Sequence, residues 1–357
     1  MNIRLLCLFQ AQPDSYLWPE SLARTLKVSA SRLLRDLWEL EEYGFSFEHV
    51  PNRGIRYSAP ASRLCVDQIE WELKTQTIGR RIAVWRRTTS TNDLAARAAK
   101  SRSNHGLVIL AEEQTAGRGR RHRRWHAPPH SSILMSVLLF PPESVRNVAL
   151  LTSLAAVAVA DVLVESLDLP ARIKWPNDVR VRGLKVCGIL VEDIARGRRG
   201  RVAGVESASP QPWHDPVKTG GSKTRPQAPT PRRATVIGIG VNVNVAADQF
   251  PKKLDRPASS LMILAGRPLD RSAITRSIIE RLDHYYHLAL SGTATALWKR
   301  WRSLADLIGT RVLVERAGGN LRGQLIDFHP PGTLSLRLPS GEIVHLPAEE
   351  VVSLVEL

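Results

Sequence analysis

Apolar residues recur at helical spacing in two stretches near the start of the chain. Leu22, Ala23 and Leu26 share one face of residues 19–27, and Pro19 suits a first helical turn. After a turn at Val28-Ser29, the spacing predicts a second helix over residues 30–43. Its apolar positions are Leu33, Leu34, Leu37, Trp38 and Leu40, with Ser29 or Ser31 as N-cap and Gly44 as the stop. The period then drops to two. FSFEHV and IRYSA alternate around the turn PNRG, which predicts a hairpin. Helix, turn, helix and hairpin is the order of a winged helix-turn-helix, expected over residues 1–62.

Residues 61–78 join this unit to a larger body. Strand-like runs (RIAVWRR, GLVILAEE, SILMSVLLF, CGILVEDI, ATVIGIGVNVN) alternate with predicted helices at about 145–168 and 272–289, so one α/β body is expected over residues 78–300. The run Val148–Val164 contains Thr152, Ser153 and Asp161 and reads as a buried helix, not a membrane span. Residues 206–233 hold six prolines and few apolar side chains, so a disordered insert is expected there. Short alternating runs punctuated by Gly318-Gly319, Pro330-Pro331-Gly332 and Ser340-Gly341 predict a small β-barrel over residues 309–357.

A chain of 357 residues with 43% hydrophobic content can fill these cores and is not disordered throughout. Cys7, Cys65 and Cys187 lie far apart with no metal-ligand spacing, which reads as reduced thiols in a cytoplasmic protein. The N-terminal run MNIRLLCLFQAQ is too short for a leader. A net charge of +16 favours polyanionic partners but does not locate a site.

Four segments carry candidate chemistry. TTSTND, Thr88–Asp93, puts hydroxyls and an amide at a helix start, where they serve either as donors to a polar ligand or as a plain cap. EEQTAGRGRRHRRW, Glu112–Trp125, packs Arg118, Arg120, Arg121, Arg123 and Arg124 around Gly117 and Gly119. Such density calls for solvent or an anion; phosphate fits, and so does a nucleic-acid patch. In IKWPNDVRVRGLKVCGILVED, Lys174 leads a Trp-Pro-Asn-Asp turn and Lys185 precedes an apolar strand. Asn177 and Asp178 can face a ligand or metal, or simply shape a β-turn. In VIGIGVNVN, Asn242 and Asn244 share a face of a strand rich in small residues. No G-x-S-x-G nucleophile motif is present, and Cys187 sits in an apolar run.

At these segments the chain resembles the biotin protein ligase family. The shared pattern is S-T-N, then Q-T-A-G-R-G-R-R-x-R-x-W, K-W-P-N-D with a following lysine and G-I-L-V-E, then G-I-G-V-N-V-N, in order across residues 80–245. With its flanking units the chain resembles the bifunctional form that is also the biotin-operon repressor. The resemblance implies an α+β multidomain protein. Its parts are an N-terminal winged helix-turn-helix, a central α/β biotin/lipoate-ligase-like catalytic domain with a mixed sheet, and a C-terminal SH3-like β-barrel.

The resemblance also implies roles. Ser90, Thr91, Asn92 and Gln114 hold biotin, joined by Arg118, Gly119, Arg120 and Lys185. Arg121, Trp125, Asn177, Asp178 and Asn242 serve ATP and the adenylate, with Asp178 toward Mg2+. Arg118, Arg120, Lys174 and Lys185 are the catalytic candidates. Biotin and ATP give biotinoyl-AMP, and a lysine of a biotin carboxyl carrier protein then takes the biotinyl group. Operator DNA would meet Ser29, Ser31, Arg32 and Arg35, and the family's assembly is a homodimer. Two departures stand out: the 206–233 insert is long, and the presumed recognition helix turns acidic at Asp36, Glu39, Glu41 and Glu42. A lipoate-type ligase and a DNA-binding regulator without ligase activity are the rival classes.

Overall fold

The computed structural model of the protein describes residues 1–194, 233–252, 257–316, 318–329, 332–347 and 350–357. The insert expected at 206–233 lies outside the described residues except for Arg233.

Helices α1 (Ile3–Gln10), α2 (Pro19–Leu26) and α3 (Ala30–Tyr43) pack around Leu5, Leu6, Phe9, Leu22, Leu33, Leu37 and Leu40. Strands β1 (Ser46–Val50) and β2 (Gly54–Ala59) form the antiparallel hairpin that follows. The short apolar run at the N-terminus is thus a core helix. Spacing put Leu34 and Trp38 on the apolar face of α3, yet they are 57% and 58% exposed. The five apolar positions span a wider arc than two short helices can cover. The buried arc runs through Leu33, Asp36, Leu37 and Leu40, with Asp36 held by Asn2 and Arg32.

Helix α4 (Val66–Glu70) lies in the joining stretch. Then come β3 (Ile82–Trp85), α5 (Thr91–Ala98), β4 (Leu107–Ala111), β5 (Ser132–Leu139), α6 (Val148–Glu165), β6 (Ala171–Lys174), β7 (Asp178–Val181), β8 (Leu184–Ile194), β9 (Ala234–Asn242), α7 (Leu261–Ala265), α8 (Arg271–Leu290) and α9 (Thr295–Leu304). The strands form one mixed sheet in the order β3-β4-β5-β9-β8-β7-β6, with only β3 and β4 parallel.

The sheet's two faces are treated differently. Ile133, Met135, Val137, Ile237, Ile239 and Val241 belong to the large core that includes α6 and α8. Helix α6 is long and apolar enough to cross a membrane, but here it is a core helix, buried from Leu150 to Leu163. On the opposite face α5 covers one end, packing Leu94 and Ala95 on Leu107, Ile109, Leu138 and Val236. Past that end lie two cross-strand rows, Leu134–Gly240–Gly188 and Ser136–Gly238–Leu190, the second met at Ser136 and Gly238 by the first turn of α5. They are the floor of the candidate site.

Strands β10 (Arg311–Arg316), β11 (Leu321–His329), β12 (Thr333–Arg337), β13 (Ile343–Pro347) and β14 (Val351–Glu356) form a five-stranded antiparallel sheet, β13-β12-β11-β10-β14. Its apolar face (Val312, Val314, Leu325, Leu334, Leu336) is continuous with the large core. Phe328 contacts both Trp175 and Trp301, with ring centroids at 5.7 and 4.7 Å.

Candidate functional site

The floor is made of small residues because large ones come down onto it. A Cβ on Gly240 would lie 2.6 to 2.9 Å from the Trp125 indole, and one on Gly188 would lie 2.8 Å from the same ring. A Cβ on Gly238 would collide with the Asn92 carboxamide. These glycines are therefore required by close approach across the sheet. Trp125 and Asn92 arrive from different segments, a loop and a helix, so the floor joins two of the four motifs.

Lys185 reaches the floor through a bulge. Lys185 and Gly188 are three residues apart on one strand, which would put them on opposite faces. The β7–β8 register shifts between Val179 and Arg180, adding one residue to β8. A bulge of this kind re-aims side chains. Lys185 Nζ then lies 2.6 Å from Asp178 Oδ1 and 5.6 Å from the centre of the Trp125 ring.

At the start of α5, Gln114 Oε1 accepts from the Thr91 amide (2.7 Å) and from the Thr91 hydroxyl (3.1 Å). Ser136 Oγ lies 2.7 Å from Thr91 Oγ1 and 2.5 Å from Asn92 Oδ1. Asn92 Nδ2 donates to Glu192 at 2.6 Å. Ser90 is the helix N-cap by position, but its hydroxyl makes no capping bond.

The Gly/Arg loop folds back on itself and over the floor. Gly119 N donates to Arg123 O at 2.7 Å, and Trp125 N donates to Gly117 O at 2.9 Å. Arg118 forms a two-pronged pair with Asp93 and lies 3.7 Å from Glu192. Arg120 Nη1 donates to Asn177 Oδ1 at 3.4 Å, tying the loop to the Trp-Pro-Asn-Asp turn. Arg121, at a positive φ of 57°, donates to the Val351 carbonyl of the C-terminal sheet at 3.2 Å.

Together these segments enclose a cavity of about 150 Å³. Its walls include Ser90, Thr91, Asn92, Gln114, Arg118, Gly119, Arg120, Arg121, Trp125, Asn177, Asp178 and Lys185. It shares Gln114, Arg123, Arg124, Trp125 and Lys185 with a groove of about 870 Å³ that reaches Asn242 and Phe250. The inner cavity alone is below the ~300 Å³ at which small-molecule sites usually begin.

Two candidates lie off the inner cavity. Asn242 lines only the groove; its Nδ2 donates to Ser259 O at 3.1 Å, and its Oδ1 is buried without a donor. Lys174 is buried and lines neither space. Strand β6 is the outer edge of the sheet, one strand further from the floor than β7. In the N-terminal unit, Ser29 caps α3, Ser31 sits beside it at 3.1 Å, Arg32 pairs with Asp36 at 2.7 Å, and Arg35 is exposed.

The site also uses residues the sequence reading did not single out: Ser136, Asp93, Glu192, Gly188, Trp175, Val352 and Ser353. Ser136 was detectable as a hydroxyl interrupting the apolar run SILMSVLLF. Val352 and Ser353 gave no signal, since they belong to a distant module.

No group of three or more potential metal-ligating side chains occurs among the described residues. A magnesium ion fits only as one held mainly by phosphate oxygens and water; the carboxylate on the cavity wall is Asp178, which is paired with Lys185. Burial pushes the Cys187 thiol well above its ordinary range, so that thiol is no nucleophile.

Residues 84–205 match the model of the biotin/lipoate A/B protein ligase family. The biotin--[acetyl-CoA-carboxylase] ligase of Mycobacterium tuberculosis is 33% identical over 295 residues, 78% of this chain and 95% of that protein. The bifunctional ligase/repressor BirA of Bacillus subtilis is 28% identical over 337 residues, 94% of each. Among solved structures, a biotin protein ligase from Aquifex aeolicus in complex with biotin and ATP superposes with a TM-score of 0.60 at 22% identity, covering 78% of this chain and all of that one.

Proposed function

This chain belongs to the biotin protein ligase family, and from that premise we propose that it activates biotin with ATP and passes it to a lysine of a biotin carboxyl carrier protein. The observation that carries the reading is the convergence of the Ser-Thr-Asn helix start, the Gly/Arg loop, the Trp-Pro-Asn-Asp turn and Lys185 on one cavity.

The division of labour follows from the chemistry of each wall. The dense hydroxyl and amide cluster of Ser90, Thr91, Asn92 and Gln114, backed by the buried Ser136, suits a neutral polar ring such as biotin's. The cationic side, Lys185 with Arg118, Arg120 and Arg121, suits the carboxylate and the phosphates. The groove beyond Trp125, with the unmatched carbonyl of Asn242, suits the nucleoside. The biotin carboxylate oxygen attacks the α-phosphorus, forming a P–O bond as the bond to pyrophosphate breaks. Two anions must meet, and negative charge spreads over phosphoryl oxygens, so fixed cations lower the barrier. Asp178 would hold magnesium, which when bound would supply charge shielding of the phosphates. The carrier lysine's free amine then attacks the acyl carbon; AMP leaves, and the amine loses a proton. The folded Gly/Arg loop shields the mixed anhydride from water meanwhile.

The test is incubation with labelled biotin, Mg-ATP and a carrier domain. Label is expected on the carrier, and its absence with soluble, folded protein overturns the proposal. Preferential thermal stabilisation by lipoate over biotin would move the assignment to the lipoate branch. For Arg120→Ala, adenylate dissociation is expected to rise by roughly tenfold or more while the melting temperature holds, since the side chain bridges the loop to Asn177. An intact intermediate lifetime would remove the shielding role. For Gly240→Ala, the added methyl displaces Trp125, and adenylate yield is expected to fall about tenfold with an altered tryptophan emission.

The N-terminal unit is assigned as the winged helix, and the C-terminal sheet as the SH3-like module. Repression is the weaker extension. On α3, Arg32 is tied to Asp36, and Leu34 and Trp38 occupy outward positions where a phosphate-binding face would carry cations. The ligase reading does not depend on it.

A further inference from the structure

The Gly/Arg loop carries five arginines, but they are not equivalent. Arg118 is bound by the protein's own acids. Its two Nη atoms reach the two carboxylate oxygens of Asp93 at 3.1 and 2.7 Å, the paired geometry that makes arginine–carboxylate contacts strong and directional. Glu192 of β8 lies 3.7 Å away on the same guanidinium, and the same Glu192 oxygen accepts from Asn92 at 2.6 Å. Thr89 Oγ1 donates to Asp93 at 3.1 Å, fixing the carboxylate from behind. Asn92 and Asp93 are adjacent on the first turn of α5, so helix, strand and loop close into a ring: Asp93–Arg118–Glu192–Asn92.

We propose that Asp93 and Glu192 form an acidic clamp that pins the Arg118 end of the loop, making Arg118 an anchor and leaving the charge stabilisation to the arginines that follow it. This rests on the ligase reading and narrows it, setting Arg118 apart from the other cations on the cavity wall. The physical ground is charge neutralisation. A guanidinium already facing two carboxylates adds little field for a third anion, whereas a fixed backbone at Arg118 and Gly119 gives the loop a defined base from which to fold over the cavity. Asp93 is thus a positioning residue. Its carboxylate acts on ligands through Arg118 and the adjoining Asn92.

The test compares full-length wild type, Asp93→Asn, Asp93→Glu, Arg118→Gln and the double variant Asp93→Asn/Arg118→Gln. Asparagine keeps the size but loses the charge and the paired geometry. Asp93→Asn is expected to raise the KM for biotin and the rate of adenylate loss by about five- to tenfold, the scale of a partly exposed two-pronged ion pair with its loop. Transfer from preformed biotinoyl-AMP to the carrier should stay within about twofold, and Asp93→Glu should recover most of the loss. The double variant should be no worse than Arg118→Gln alone, since the two residues act as one unit. Trypsin cleavage at Arg118–Arg124, mapped by mass spectrometry without ligand, should quicken in Asp93→Asn. Additive losses in the double variant overturn the clamp, as does an Asp93→Asn enzyme with wild-type KM and wild-type cleavage. Wild-type protein that makes no biotinoyl-AMP would instead sink the ligase reading, leaving the cleavage comparison to judge the clamp on its own.

Discussion

Lys185→Ala is expected to cut biotinoyl-AMP formation by on the order of 10²–10³, the usual cost of removing a preorganised charge from a polar transition state. Several observations support the proposed role of Lys185. It lines both the inner cavity and the groove. A bulge turns it onto the floor, and the Trp125 ring and Asp178 hold its ammonium in place. Backbone bonds clamp the residue from both sides, from Lys185 N to Pro257 O and from Ser259 N to Lys185 O, each at 3.0 Å. That rigidity means the charge need not reorganise as the carboxylate and α-phosphorus approach. Lys185→Arg keeps the charge but replaces a compact ammonium with a wide planar fork, so only partial activity is expected. Pyrophosphate release in the absence of carrier isolates the first half-reaction. Normal release by Lys185→Ala would remove the residue from the mechanism.

The elements that place Lys185 were readable in the sequence to different degrees. The small-residue apolar run of β9 and the long, largely apolar run of α6 are patterns that one strand or helix carries by itself, and both lie where the sequence predicts. The four motif segments were visible as unusual concentrations of hydroxyls, arginines or small residues. Their convergence was not, because register is a property of pairs of strands. Nothing in VIGIGVNVN alone says that Gly240 sits between Leu134 and Gly188, or that Gly238 must make room for Asn92. The same limit explains Lys174, whose motif neighbours face the cavity while it stays on the edge strand. It also explains Leu34 and Trp38, where helical periodicity gives a face but not the width of the partner that covers it.

Glu112 is the other position whose role the sequence hid, and its partner carries the largest stability prediction. Arg271 and Glu112 form an ion pair at 2.7 Å with only 2% and 3% of their side chains exposed. Arg271 also donates to the carbonyls of Ser132, at 2.9 Å, and Ser62. Glu112 Oε1 accepts from Leu64 N at 2.5 Å. The pair therefore joins β4, β5, the start of α8 and the stretch leading from the N-terminal unit. It also anchors the chain two residues before Gln114. Arg271→Ala leaves the buried Glu112 carboxylate with only Leu64 N and His130 as partners and removes the arginine's bonds to two carbonyls, so a loss of about 3–5 kcal/mol is expected. Against a typical total of ~5–15 kcal/mol, that is a large share. Desolvation makes the intact pair itself a poor net stabiliser. Joint replacement, Arg271→Met with Glu112→Leu, is therefore expected to recover much of the loss while still loosening Leu64 and the loop base. Urea unfolding of the three proteins separates the cases. A double variant as unstable as Arg271→Ala would show that the lost carbonyl and amide bonds, and not the stranded charge, dominate the cost.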